Sequence, residues 1–144
     1  LVDTNVLSAG APAQLARHGA LADWMDRNSG DLFLSVITVA EIEDGIAKVA
    51  RVGARRKAER LAAWLETVVH LYGARILPVD LAVARALGRI SDVARQAGRA
   101  PGLADLAIAA TAQVHAGTVL TRNVRDFAGL GIAVCNPFEA LPAE

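Results

Sequence analysis

Leu1-Val2-Asp3-Thr4-Asn5-Val6-Leu7-Ser8 opens the chain, and how it is read decides the fold. Two apolar residues run into a carboxylate, a hydroxyl and an amide, and the sequence then turns apolar again. In isolation, Asp-Thr-Asn is a helix start, because short oxygen-bearing side chains satisfy the orphan N–H groups of a first turn. A second meaning opens if Leu1-Val2 is a strand of a parallel sheet. In such sheets the functional crevice lies beyond the carboxyl ends of the strands, and Asp3 would stand there.

Working outward, short apolar runs alternate with amphipathic segments. The spacing predicts a helix over 13–28, a strand over 32–36 and a helix over 39–51. Over 55–72, Ala58, Leu61, Ala62, Leu65, Val68, Val69 and Tyr72 keep i, i+3, i+4, i+7 spacing, and Gly73 closes that helix. An extended piece over 75–79 carries Pro78, which suits an edge strand or an extended lead-in. Helices over 81–97 and from 103, a strand over 118–121, a short helix over 124–129 and a last strand over 132–135 complete the series. Strands alternating with helices imply an α/β fold: a central parallel sheet with helices on both faces, three layers in all.

The 144 residues are read as one domain, 1–144, large enough to bury a core; the lack of an initiating methionine points to a few native residues before Leu1. With 53% hydrophobic residues the chain is not disordered, and 15 basic against 15 acidic residues exclude a general basic coat for nucleic acid. Any such contact must come from a local patch. A single cysteine, Cys135, excludes an internal disulfide and suits a reducing, cytoplasmic setting. The most apolar stretch, 103–114, is too short to span a membrane and contains Asp105.

Three acids follow separate elements. Glu41 sits in Ser35-Val36-Ile37-Thr38-Val39-Ala40-Glu41; Thr38-x-x-Glu41 fits a capping box, while the apolar residues around Glu41 suggest a dry setting. Asp105 lies near the start of a helix that is apolar nearly all round. The helix dipole favours an acid there by only ~0.3–1 kcal/mol, so a buried Asp105 must be protonated, paired or metal-bound. Arg99 is the one nearby candidate for an ion pair. Asn123 and Asp126, in Thr121-Arg122-Asn123-Val124-Arg125-Asp126-Phe127, reach the same sheet edge, and both also suit loop and cap roles. Each innocent reading survives alone. Together they require several oxygen donors to converge by accident, whereas an all-oxygen cluster without cysteine is what Mg²⁺ or Mn²⁺ prefers.

With these motifs in hand, the chain resembles the PIN-domain nucleases, particularly the VapC-type toxins of bacterial toxin–antitoxin pairs and their FitB-like branch. The resemblance rests on Leu-Val-Asp-Thr-Asn-Val-Leu-Ser at 1–8, Ser-Val-Ile-Thr-Val-Ala-Glu-Ile at 35–42, Leu-Ala-Asp-Leu-Ala-Ile-Ala-Ala-Thr-Ala at 103–112 and Leu-Thr-Arg-Asn-Val-Arg-Asp-Phe at 120–127. Asn136-Pro137 adds to it. The resemblance implies a PIN-like fold and a Mg²⁺- or Mn²⁺-dependent endoribonuclease acting on single-stranded regions of tRNA or mRNA. It also implies a homodimeric toxin with a cognate antitoxin. The family's acids fall on Asp3, Glu41 and Asp105; where FitB-like members carry a fourth aspartate this chain has Asn123, and Asp126 is the alternative fourth ligand.

On that reading Asp3 and Asp105 are the principal metal ligands, with Glu41 closing the site. Thr4, Asn5 and Thr121 orient the carboxylates. Arg95, Arg99 and Arg122 flank the Asp105 and Asn123 segments and are candidate contacts for RNA phosphates. Apolar residues on the first long helix and on 55–72 offer the antitoxin a groove. Two rivals remain. An aspartate-nucleophile phosphatase would also end its first strand in an acid, but it needs a second acid at position 5 and a later lysine, and the last lysine is Lys57. A PIN-fold interaction module of weak activity is the other, and the missing fourth acid favours it.

Overall fold

The computed structural model describes residues 1–143. Four short parallel strands carry the site. Strand β1 (Leu34–Ser35) pairs with β2 (Ile76–Leu77), and β3 (Thr118–Leu120) pairs with β4 (Ala133–Cys135). The amino-terminal segment lies between these pairs. Val2 donates its N–H to the Phe33 carbonyl at 2.9 Å, Leu120 donates to Leu1 at 2.8 Å, and Asp3 donates to Leu120 at 2.9 Å. The expected central sheet is shown only in part, as two separate two-stranded parallel sheets with residues 1–3 hydrogen-bonded to both flanks. The strand expected over 32–36 shrinks because Ser35 turns into a cap: its hydroxyl accepts from the Ile37 N–H at 3.1 Å, and the next helix begins at Val36.

In chain order the helices are α1 (Thr4–Leu7), α2 (Leu15–Arg27), α3 (Val36–Arg51), α4 (Arg55–Tyr72), α5 (Leu81–Gln96), α6 (Leu103–Val114) and α7 (Val124–Phe127). α4 has the bounds that its apolar spacing predicts. It closes at Gly73, whose φ of +50° is a conformation that favours a residue without Cβ. α5 starts where Asp80 accepts from the Val83 N–H at 2.9 Å, a cap of the usual acidic kind.

Two apolar clusters sit on opposite sides of the strands, and period-two alternation sorts side chains between them. Leu1, Leu77, Val119 and Val134 join the cluster built from Val83, Ala86 and Ile90 of α5 and Ile108 and Ala109 of α6. Their chain neighbours Val2, Ile76, Leu120 and Cys135 join the other, built from Leu21, Trp24 and Met25 of α2 with Ile42 of α3 and Leu65 of α4. α6 is apolar nearly all round because every residue from Leu106 to Ala112 is buried. Burying one large aliphatic side chain contributes about 1.5–3 kcal/mol, so these clusters fix where the strand ends point. Among the described residues, no helix is long and apolar enough to cross a membrane.

Candidate acidic active site

Asp3 is only 4% exposed, although it is a carboxylate at a strand end. Its position is over-determined. Oδ1 accepts from the Thr4 N–H at 2.7 Å; Oδ2 accepts from the Thr121 hydroxyl at 2.7 Å and from the Asn5 amide at 3.0 Å. Asn5 also reaches the Thr121 hydroxyl oxygen at 3.2 Å, and its own carbonyl oxygen accepts from the Arg122 N–H at 2.9 Å. Thr121 in turn accepts from the Asn123 N–H at 3.0 Å. Asp3 is thus a helix cap and a fixed carboxylate at once. An ionised carboxylate offers about four acceptor positions, so these three bonds leave room for one further partner, on Oδ1.

Glu41 lies in the second turn of α3. It is exposed, not in the dry setting that its apolar neighbours suggest. The reason is register: Ser35 caps the helix instead of Thr38, and the buried face is drawn by Thr38 and Ile42 at i, i+4. Thr38 is wholly buried and its hydroxyl finds no partner, so the Thr38–Glu41 capping box does not form. Glu41 is instead tied to α1, accepting from the Thr4 hydroxyl at 2.6 Å.

Asp105 stands half-buried in the first turn of α6. Burial pushes its carboxyl up to about 6, and the negative charges of Asp3, Asp126 and Glu41 add to the shift in that order. Acids from four separate segments therefore lie within electrostatic reach of one another. No ion pair among the described residues involves any of them. Arg99 is not the partner of Asp105: its guanidinium donates to the carbonyls of Arg125 and Ala128, pinning the end of α7. The helix start alone does not rescue the charge.

Asp126 is half-buried on α7, next to Phe127, which is wholly buried. Asn123 caps the same short helix through its backbone; its side chain is exposed and makes no hydrogen bond among the described residues. Arg95 is exposed and sits 3.4 Å from Asp92 on its own helix. Arg122 is exposed too, with its guanidinium carbon 3.9 Å from the centre of the Phe138 ring. That stack has no local sequence signal, because its two halves come from segments on either side of β4.

Among the described residues, no three His, Cys, Asp or Glu side chains form a ready-made metal cage. The donor set nevertheless fits a hard cation: all oxygen, several acids, and none of those acids in an ion pair among the described residues. A fixed carboxylate at a parallel strand end, with acids from three helices around it, defines a class of α/β protein with an oxygen-lined acidic centre. The PIN domain family model matches residues 1–131, and the chain belongs to the PIN domain family.

Individual relatives extend that likeness along the chain. It is 36% identical over 141 residues to the protein named toxin FitB of Neisseria gonorrhoeae, covering 96% of this chain and 97% of that one. It is 36% identical over 140 residues to the VapC ribonuclease Y4jK of Sinorhizobium fredii, with 96% and 97% covered. The crystal structure of FitAcB from Neisseria gonorrhoeae superposes with a TM-score of 0.83 at 36% identity, covering 95% of this chain and 96% of that one.

Proposed function

We propose that the protein is the toxin of a toxin–antitoxin pair, a metal-dependent endoribonuclease that hydrolyses phosphodiester bonds in single-stranded RNA. The observation that carries this reading is Asp105 within electrostatic reach of the fixed Asp3 carboxylate, Asp126 and Glu41, none of them in an ion pair among the described residues. The names of the relatives, a toxin and a ribonuclease, support it.

Mg²⁺ or Mn²⁺ would be held by Asp3 and Asp105, with Glu41 joining directly or through water and Asp126 or Asn123 completing the set. When bound, such an ion activates water and neutralises charge on a phosphoryl group. The chain's own residues do the positioning. Thr121 and Asn5 hold Asp3 Oδ2 and leave Oδ1 the freer oxygen. The Thr4 hydroxyl keeps the exposed Glu41 carboxylate turned toward α1. Arg122 supplies positive charge at the same strand end, where an RNA phosphate approaches. Arg95 is a more peripheral candidate contact, and Arg99 serves by fixing the end of α7.

The chain acts as one domain, in the cytoplasm, as a homodimer. The antitoxin would occupy the cleft of about 460 Å³ between α2 and α4, whose walls include Leu15, Met25, Trp64, Leu71 and Tyr72. Cleavage of a tRNA and mRNA panel with Mn²⁺ tests the catalytic reading. Asp3→Asn and Asp105→Asn should abolish cleavage with the circular dichroism unchanged. Full activity in either folded variant refutes this site. Failure of the wild-type protein to cut any RNA would leave the weakly active interaction module as the better reading.

A further inference from the structure

A second feature borders the acids. A cleft of about 500 Å³ opens between α7 and the turn after β4, lined by Arg122, Asn123, Arg125, Asp126, Asn136 and Glu139. Asp126 belongs to this cleft and to the acidic centre alike, so the two adjoin. The cleft differs from the acidic centre in composition, because its lining adds two arginines, two asparagines and Glu139 to Asp126. Neither Arg122 nor Arg125 is in an ion pair among the described residues.

Its walls are held in place. The Arg122 backbone N–H donates to the side-chain Oδ1 of Asn5, the same Asn5 whose side-chain nitrogen donates to Asp3. Its guanidinium lies on the Phe138 ring, a contact that restrains a planar cation. Phe138 is itself fixed, since its N–H donates to the Asn136 side-chain oxygen at 3.1 Å and its ring meets His18 edge-on. The Glu139 N–H donates to the Asn136 carbonyl at 3.2 Å, so this acid sits on an ordered turn.

From this geometry we infer that the cleft is a nucleotide subsite, which takes the nucleotide beside the scissile phosphate and prefers guanine there. This inference rests on the nuclease reading above. Arg125 and Arg122 meet phosphate, and sequence-neutral contacts of that kind set position. Glu139 provides the discrimination. A carboxylate accepts two hydrogen bonds side by side, and the Watson–Crick edge of guanine presents two adjacent donors, the ring N1–H and the exocyclic amine. Adenine and cytosine present one amino group beside an acceptor, and uracil one N–H between two acceptors. Unpaired bases of single-stranded RNA expose this edge to protein side chains.

The test has two readouts. In the first, a randomised single-stranded RNA pool is cut with Mn²⁺ and the product ends are sequenced. Wild type should show guanine enrichment next to the cut, by about tenfold for one bidentate contact. Glu139→Gln should lose the enrichment while still cutting. In the second, fluorescence anisotropy in EDTA follows binding of labelled heptaribonucleotides, one with a central guanine and three without. Arg125→Ala should weaken all four alike and flatten the salt dependence, whereas Glu139→Gln should weaken only the guanine probe. Cutting without base preference, or a guanine preference untouched by Glu139→Gln, overturns the subsite and leaves the nuclease reading standing. Selective guanine binding without any cleavage overturns the nuclease reading and keeps the subsite. Equal binding of all four probes, or of none, overturns the subsite.

Discussion

Neutralising Asp105 should stabilise the metal-free protein, contrary to the usual effect of changing a half-buried site residue. Burial first, then Asp3, Asp126 and Glu41, raise its carboxyl to about 6. A carboxyl whose folded-state value lies above its unfolded value makes folding weaker once both are ionised. Below about pH 4 both states hold the proton and the penalty is absent. It grows as pH rises from there and is complete above about 6. A shift of about two units corresponds to about 3 kcal/mol at 1.36 kcal/mol per unit. Asp105 is only half-buried, and solvent screening reduces this to about 1–2 kcal/mol. Asp105→Asn keeps the shape and removes the charge. In EDTA at pH 7.5 or so, where the penalty is complete, it should therefore raise Tm by about 3–8 °C. The assay is thermal unfolding of both proteins, in EDTA, between roughly pH 4 and pH 8. The gap should close at the acid end. Adding Mn²⁺ should stabilise wild type more than the variant, because a ligand that binds only the folded state raises stability. A variant less stable than wild type at neutral pH, or a gap that ignores pH, would refute the electrostatic account of Asp105.

Four further outcomes follow from named contacts. Asp3→Ala removes the acceptor for Thr4, Asn5 and Thr121 and should cost about 1–3 kcal/mol, more than Asp3→Asn, as measured by urea unfolding. Thr4→Val frees Glu41 and should lower kcat with little change in KM, whereas Thr4→Ser, which keeps the hydroxyl, should restore kcat. Phe127→Ala should cost about 3–5 kcal/mol by urea unfolding, since this wholly buried ring anchors the helix that carries Asp126. Asn123→Asp should tighten Mn²⁺ binding in calorimetric titration; unchanged affinity together with its loss in Asp126→Ala would assign the fourth ligand to Asp126.

The elements were largely legible because they are written in local periodicity. The 55–72 helix is legible to the residue, since its apolar positions repeat around one face and glycine follows. The strands were legible as existing but not in length. A two-residue strand such as Leu34–Ser35 leaves no period to count, and whether Ser35 ends a strand or caps a helix is settled by tertiary pairing with β2. Glu41 misled for a related reason. Of its apolar neighbours only Ile42 is buried in the core, and a register set one turn earlier by Ser35 leaves Glu41 outside. Arg99 is adjacent in sequence to the segment of Asp105, yet it bonds to carbonyls of α7, which no spacing rule connects to it.

The electrostatic proximity of Asp3 and Asp105 has a reason deeper than any motif. A carboxylate can serve as a helix cap and as a fixed site acid only if its oxygens are shared out, and at Asp3 they are. The backbone of α1 takes one position on Oδ1, while β3 supplies Thr121 to Oδ2. A simple cap needs only the first of these. Thr121, just past β3, and Asn5, in the first turn of α1, are short polar residues that would be free to be apolar if Asp3 only started a helix. Their hydrogen bonds are made in the least exposed part of the site, where an unpaired hydroxyl or amide would cost about 1–3 kcal/mol. The innocent and functional readings of the first eight residues are thus compatible. The cap fixes one oxygen, the neighbouring segment fixes the other, and what remains unsatisfied is negative charge directed toward Asp105.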